Sequence, residues 1–210
     1  MLGLLLMFNA TAMFVCTLLS VYLDDGATEG LLFSALITIG FGLLLLLITR
    51  NRKREIKMRD GYLTVVMGWL SMVIFGTLPY LLTQSLVSYS DALFETMSGF
   101  TATGATIVQD IEALPKSIIL WRSLTHWLGG MGIIVLAVAI LPLLGIGGVQ
   151  LFSAEATAVG GDKLHPRISY TAKRLWYIYV GFTVLEALML AFAGMSVFDA
   201  INHSMSTMAS

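Results

Sequence analysis

The sequence predicts an all-α integral membrane protein built from units of span, re-entrant loop and span. Three observations predict it. The 210 residues are 57% apolar and only 12% charged, with mean hydropathy +0.86, whereas a soluble domain carries about 25% charged residues. Five apolar runs, residues 2–23, 31–49, 62–83, 117–144 and 175–195, approach or exceed the ~20 residues that cross a bilayer. A shorter apolar stretch, residues 92–100, sits where a loop should be, and part of it recurs 108 residues later.

The first run has no basic stretch before it and is long enough to span, so it reads as a retained helix rather than a signal peptide. An acidic link, residues 24–30, leads to the second run. The next link, residues 50–60, holds Arg50, Arg52, Lys53, Arg54, Lys57 and Arg59, half of the 12 basic residues. By the positive-inside rule it is cytoplasmic. Alternation then puts the N-terminus inside, residues 24–30 and 84–116 outside, and residues 145–174, with Lys163, Arg167, Lys173 and Arg174, inside. The outer segments carry Asp24, Asp25, Glu29, Asp91, Glu95, Asp110, Glu112 and Asp199 against Lys116 alone, which raises the local cation concentration. The segments are an N-terminal helix pair (1–60), a first span–loop–span repeat (61–144), a cytoplasmic loop (145–172) and the start of a second repeat (173–210).

Several classes fall away. The net charge of -1 gives nucleic acid no footing. Cys16 is the lone cysteine, so a disulfide framework and a cysteine metal site are excluded. No His-Glu-x-x-His, no paired intramembrane aspartates and no nucleophile with its base occur, so the chain is read as no enzyme and as needing no cofactor.

Residues 92–100 are too apolar for an exposed loop. Ser90 or Asp91 can cap a helix there, and Asp91 and Glu95 suit its positive first turns. About ten residues make a helix of ~15 Å, half of a ~30 Å hydrocarbon core. Such a helix enters a membrane without crossing it, and its partially negative C-terminal end favours a cation. Next comes Thr101-Ala102-Thr103-Gly104-Ala105-Thr106, which has no carboxylate. A cation here must be held by backbone carbonyls and threonine hydroxyls, the way a potassium filter replaces a hydration shell. On these residues alone, a surface helix followed by a Thr/Gly loop stays open.

The repeat aligns residues 91–98 with 199–206, where Asp, Ala, Met and Ser coincide. Ala209 and Ser210 align with Thr101 and Ala102. The counterparts of Thr103 and Gly104 would lie further on, so the sequence reads as a fragment of a longer protein.

SDALFETMSGFTATGAT (90–106), WRSLTHWLGGMGIIVLAVAILP (121–142), DKLHPRI (162–168), LWYIY (175–179) and FDAINHSMSTMAS (198–210) together resemble the Trk/Ktr/HKT family of potassium transporters, in its bacterial Trk branch. The resemblance runs from about residue 60 to the end, and the first two spans resemble the extra helix pair of that branch. It implies a potassium-channel-like pseudo-tetramer of four repeats in one chain, of which this chain carries one and part of the next. It also implies potassium transport across the bacterial inner membrane through a carbonyl-lined selectivity filter. Thr101, Ala102, Thr103, Gly104 and Ala105 would form the first filter strand, with potassium at Thr103 and Gly104. Ala209 and Ser210 would begin the second. Implied partners are potassium, membrane lipid, a second copy in a homodimer, and a cytosolic nucleotide-binding regulator of the TrkA type near residues 162–167. The alternatives are a sodium-dependent Ktr-type subunit and a non-conducting structural subunit.

Arg122 lies about a turn inside the fourth run, where a charge needs a partner. Glu95 is the candidate, and the pair would support the filter. Glu186, in mid-span, reads as a packing bond ahead of an ion-coupling group. His126 and His203 read as hydrogen-bonded rather than metal-ligating. Gly129, Gly130 and Gly132 read as a close-packing face, and Trp121 and Trp176 as interface residues.

Overall fold

The computed structural model describes residues 2–49, 58–140 and 164–209, with side chains described outside 58–62, 133–140 and 164–171. Among the described residues every regular element is a helix: α1 (Leu2–Leu23), α2 (Thr28–Thr49), α3 (Met58–Gly76), α4 (Leu78–Leu82), α5 (Tyr89–Phe100), α6 (Lys116–Ile140), α7 (Leu164–Phe192) and α8 (Val197–Ala209). Four helical stretches, Leu2–Leu23, Thr28–Thr49, Leu63–Leu82 and Ala172–Phe192, are long and apolar enough to cross a membrane. The fold forms two compact units, Met1–His126 and Trp127–Ser210, divided within α6.

In the first unit, α1 and α2 are joined through Asp24 (φ 50°) and Gly26 (φ 77°), left-handed conformations that reverse the chain in four residues. Close approach keeps them paired: a Cβ on Gly3 would stand 2.7 Å from the Gly42 carbonyl oxygen, and one on Gly42 3.2 Å from that of Gly3. Met13, Cys16, Ala27, Leu31 and Ala35 of this pair share one core with Tyr80, Ala92, Ile118 and Trp121. The N-terminal pair is therefore built into the unit that carries the short helix α5. Asn9 Nδ2 adds a bond of 3.3 Å to the Met72 carbonyl of α3.

Four helix boundaries differ from the sequence reading. The third run is broken: α3 stops at Gly76 and α4 starts at Leu78. Pro79 cannot donate back into the preceding turn, and the Trp121 indole donates to the nearby Gly76 carbonyl at 3.2 Å. Trp121 is thus wholly buried rather than an interface residue. Trp176, in contrast, is 40% exposed. The N-cap of α5 is Ser88, extended at φ -81° and ψ 128°, so Ser90 and Asp91 lie inside the first turn rather than capping it. α7 begins at Leu164, so residues 164–172, read as loop, are helical. Hydropathy marks membrane depth, not helix ends, and Pro166 is tolerated in a first turn. Met1, residues 50–57 and 141–163, and Ser210, with the expectations that fall on them, lie outside the described residues.

In the second unit, α7 ends in a Schellman turn: Met195 N donates to Leu190 O at 3.2 Å and Gly194 N to Ala191 O at 3.1 Å, with Gly194 at φ 100°. The chain then enters α8. Ser196 caps it, its Oγ accepting the Asp199 amide at 3.2 Å while its hydroxyl donates to Asp199 Oδ2 at 2.7 Å.

Candidate functional site: the end of a short helix and the strand behind it

α5 and α8 begin at Tyr89 and Val197, 108 residues apart, the offset of the sequence repeat. At 12 and 13 residues, both are about 18–20 Å long and too short to cross a bilayer.

The end of α5 is stopped by a specific device. Thr103 N donates to Ser98 O at 3.0 Å and Ala102 N to Gly99 O at 2.9 Å, the Schellman pattern again. Its left-handed position, where glycine is usual, is filled by Ala102 at φ 54°. The next left-handed residue is Gly104, φ 74°. φ is negative at Thr101, Thr103 and Ala105, so its sign alternates along Thr101–Ala105.

The strand is held from behind and left open in front. The Ser98 hydroxyl donates to the Ala105 carbonyl at 2.6 Å, and the Thr101 and Thr103 hydroxyls share a bond of 2.7 Å. Glu95, 1% exposed, gathers three donors: Arg122 Nε at 2.5 Å, the Thr106 hydroxyl at 3.1 Å, and the Ile107 amide at 3.1 Å. A carboxylate buried this deeply demands such partners. Its charge therefore ties α5 to α6 and to the far end of the strand. Thr101, Thr103, Gly104, Ala105 and Thr106 are exposed, and a Cβ on Gly104 would meet nothing within 4 Å.

α5 is wedged tightly. A Cβ on Gly99 would come within 2.3 Å of Thr125 Oγ1 and 3.0 Å of Thr125 Cβ, and one on Gly76 within 2.7 Å of Thr96 Cγ2. His126 is buried beside Gly99, and among the described residues its Nε2 makes no hydrogen bond, so the one expected of this side chain is not made at that nitrogen.

In the second unit, the Glu186 carboxylate of α7 accepts from the Thr207 hydroxyl of α8 at 2.5 Å, a bond between packed helices. A Cβ on Gly130 would stand 2.9 Å from Ala209 Cα and from the Tyr179 hydroxyl oxygen, so Gly130 serves close packing. Ala209 is the last residue of α8, whereas its counterpart Thr101 lies just past the end of α5, so Ala209 is still helical where the sequence reading began a second filter strand. His203 is exposed, and no cluster of metal-ligating side chains occurs among the described residues. Sequence reasoning missed Ser98 and the Thr106–Ile107 contacts of Glu95. The signal available was weak: a serine and a glutamate three residues apart, on the helix face that turns toward its own C-terminal strand.

Comparison with known proteins bears on this arrangement. A family model described as TrkH, cation transport protein, matches residues 31–210. The Trk system potassium uptake protein TrkH of Halomonas elongata is 46% identical over 210 residues, covering 99% of this chain and 44% of that protein. TrkH of Escherichia coli K12 is 44% identical over 99% of this chain and 43% of its own length. The crystal structure of the potassium transporter TrkH from Vibrio parahaemolyticus superposes with TM-score 0.83 at 41% identity, covering 98% of this chain and 41% of that one. The chain spans less than half the length of these relatives.

Proposed function

We propose, from the premise that the chain belongs to the TrkH family of cation transport proteins, that it contributes to potassium uptake across a bacterial inner membrane, with Thr101–Ala105 as one strand of the filter. The alternating sign of φ along that strand is the observation that carries the reading. In a regular extended strand successive carbonyls point to opposite sides. A positive φ at every second residue turns them toward one side, where they can replace water around a dehydrated cation. The strand has no carboxylate, so its field is that of neutral oxygens. Potassium is assigned to the Thr103 and Gly104 carbonyls. The C-terminal end of α5 adds its partial negative charge behind them.

Glu95 and Arg122 support the filter without touching the ion. By the 108-residue offset the equivalent strand of the second repeat follows the end of α8 at Ala209, and the remaining strands come from further repeats of the full-length protein. The N-terminus is assigned to the cytoplasm by the basic residues 50–59. Family resemblance adds a homodimer, and a nucleotide-binding regulator of the TrkA type at the cytoplasmic face.

The test is potassium uptake by the full-length protein in a host lacking its own uptake systems. Gly104→Ser places a side chain at φ 74°, which costs about 1–2 kcal/mol in the left-handed region. It is expected to abolish potassium-over-sodium selectivity while the protein still reaches the membrane. Unchanged selectivity would refute the filter assignment.

A further inference from the structure

We propose that Asp25 is a positioning residue that reaches the filter segment 101–107 from the turn of the N-terminal helix pair, by capping α6 through space. The N-cap residue of α6 offers no side-chain cap. Ile118 N and Ile119 N donate to the Pro115 carbonyl at 2.9 and 3.0 Å, so Pro115 occupies the N-cap position. Proline carries no side-chain acceptor for the next orphan amide. Asp25 supplies one from 92 residues away: its Oδ2 accepts the Ser117 amide at 2.9 Å. The carboxylate also places negative charge at the positive end of α6.

The other oxygen of the same carboxylate belongs to the α1–α2 turn. Oδ1 accepts the Ser20 hydroxyl at 2.5 Å and the Ala27 amide at 3.2 Å, and Ser20 Oγ lies 2.9 Å from Thr28 Oγ1. One side chain thus fastens the turn on one side and α6 on the other. Five residues after Ser117 comes Arg122, whose Nε holds Glu95 at 2.5 Å. Glu95 in turn holds Thr106 and Ile107. The path from Asp25 to the strand runs through these hydrogen bonds and through the stretch of α6 between Ser117 and Arg122. A sliding first turn of α6 would carry Arg122 with it.

The functional meaning of this inference rests on the filter reading, but its structural content does not. Hydrogen–deuterium exchange on the full-length protein in lipid nanodiscs tests it. Asp25→Ala should speed exchange in two separate peptides, residues 116–121 and residues 101–108. The expected acceleration is about fivefold, the population change made by losing a cap of ordinary strength. Acceleration confined to residues 116–121 would reduce Asp25 to a local cap and overturn the proposal, as would no acceleration at all. Should Asp25→Ala not assemble, Asp25→Asn keeps an acceptor and loses the charge. It should give a smaller change in the same two peptides, and none in 101–108 would again overturn the proposal. Potassium-over-sodium uptake should fall about threefold to fivefold with Asp25→Ala, on the same cap strength. An unchanged ratio, alongside a changed one for Gly104→Ser, overturns the inference and leaves the filter reading standing.

Discussion

Removing the Glu95–Arg122 pair should cost less than the sum of breaking it from each side. Glu95 is 1% exposed, and the Arg122 side chain 14%. Removal of one partner from a buried ion pair typically costs 3–5 kcal/mol, because the other is left as an uncompensated charge. The two halves are not equivalent. With Glu95→Ala, Arg122 loses its carboxylate, and the Thr106 hydroxyl and Ile107 amide lose their acceptor. Ile107 is 45% exposed and can turn to water, so about 3–4 kcal/mol is expected. With Arg122→Ala, Glu95 keeps two donors, and about 2–3 kcal/mol is expected. The double replacement leaves no buried charge and should cost about 2 kcal/mol less than the sum of the singles. The assay is reversible unfolding of the full-length protein in mixed micelles, run as a double-mutant cycle with potassium-over-sodium uptake measured in parallel. Singles that add within about 0.5 kcal/mol would show that the contact carries no coupling and would refute the argument that Glu95 is held by Arg122.

Gly99→Ala should destabilise the protein by about 1–3 kcal/mol in the same unfolding assay, because its Cβ meets Thr125 Cβ at 3.0 Å and neither backbone can yield cheaply. Ala102→Gly should stabilise it by about 1 kcal/mol, relieving a left-handed alanine at φ 54°, and a loss of stability would show that the φ assignment is wrong. Asp25 gives a pH signature. Burial opposes its ionisation, but hydrogen bonds from Ser20, Ser117 and Ala27 outweigh it and hold its carboxyl below the ordinary 3.8. A carboxyl lowered by folding stabilises above its unfolded value and loses that contribution as pH falls through the folded one. Melting temperatures recorded downward from about pH 5 should therefore show an acid-side decline in wild type that is smaller in Asp25→Asn.

The features legible in the sequence were those that repeat or that lipid imposes. Apolar length announced the spans, and the 108-residue offset announced two short helices that begin at Tyr89 and Val197. Electrostatic need announced the Arg122–Glu95 contact, since a guanidinium at that depth requires a partner. What stayed hidden was tertiary. Trp121 carries the same letters as an interface tryptophan, and only the carbonyl offered at Gly76 beside Pro79 draws its indole into the core. Asp25 sits in a link that reads as a solvated acidic turn. A proline just ahead of an apolar run was the only hint that α6 would borrow its cap. Ala102 hides in the same way, because an alanine in a glycine position is visible only once the Schellman bonds are formed.

The order in which α5 is secured explains why a strand this exposed can keep one shape. Its beginning is fixed by the Schellman bonds of Ala102 and Thr103, and its end by Ser98 on Ala105 and Glu95 on Thr106 and Ile107. Between those anchors the segment is short, and among the described residues no hydrogen bond is made to the Thr103 or Gly104 carbonyl. A site that must exchange ions quickly needs such an arrangement, with oxygens that are positioned but not already satisfied. Apolar packing alone could not provide it, since a methyl group has no way to hold a backbone amide in place. A buried carboxylate can, at the cost of its own desolvation, and that cost is offset only if a cation such as Arg122 stays beside it. The charge pair thus goes with a strand whose middle carbonyls are left free, and the tight glycine contacts at Gly76 and Gly99 keep both charges within reach of each other.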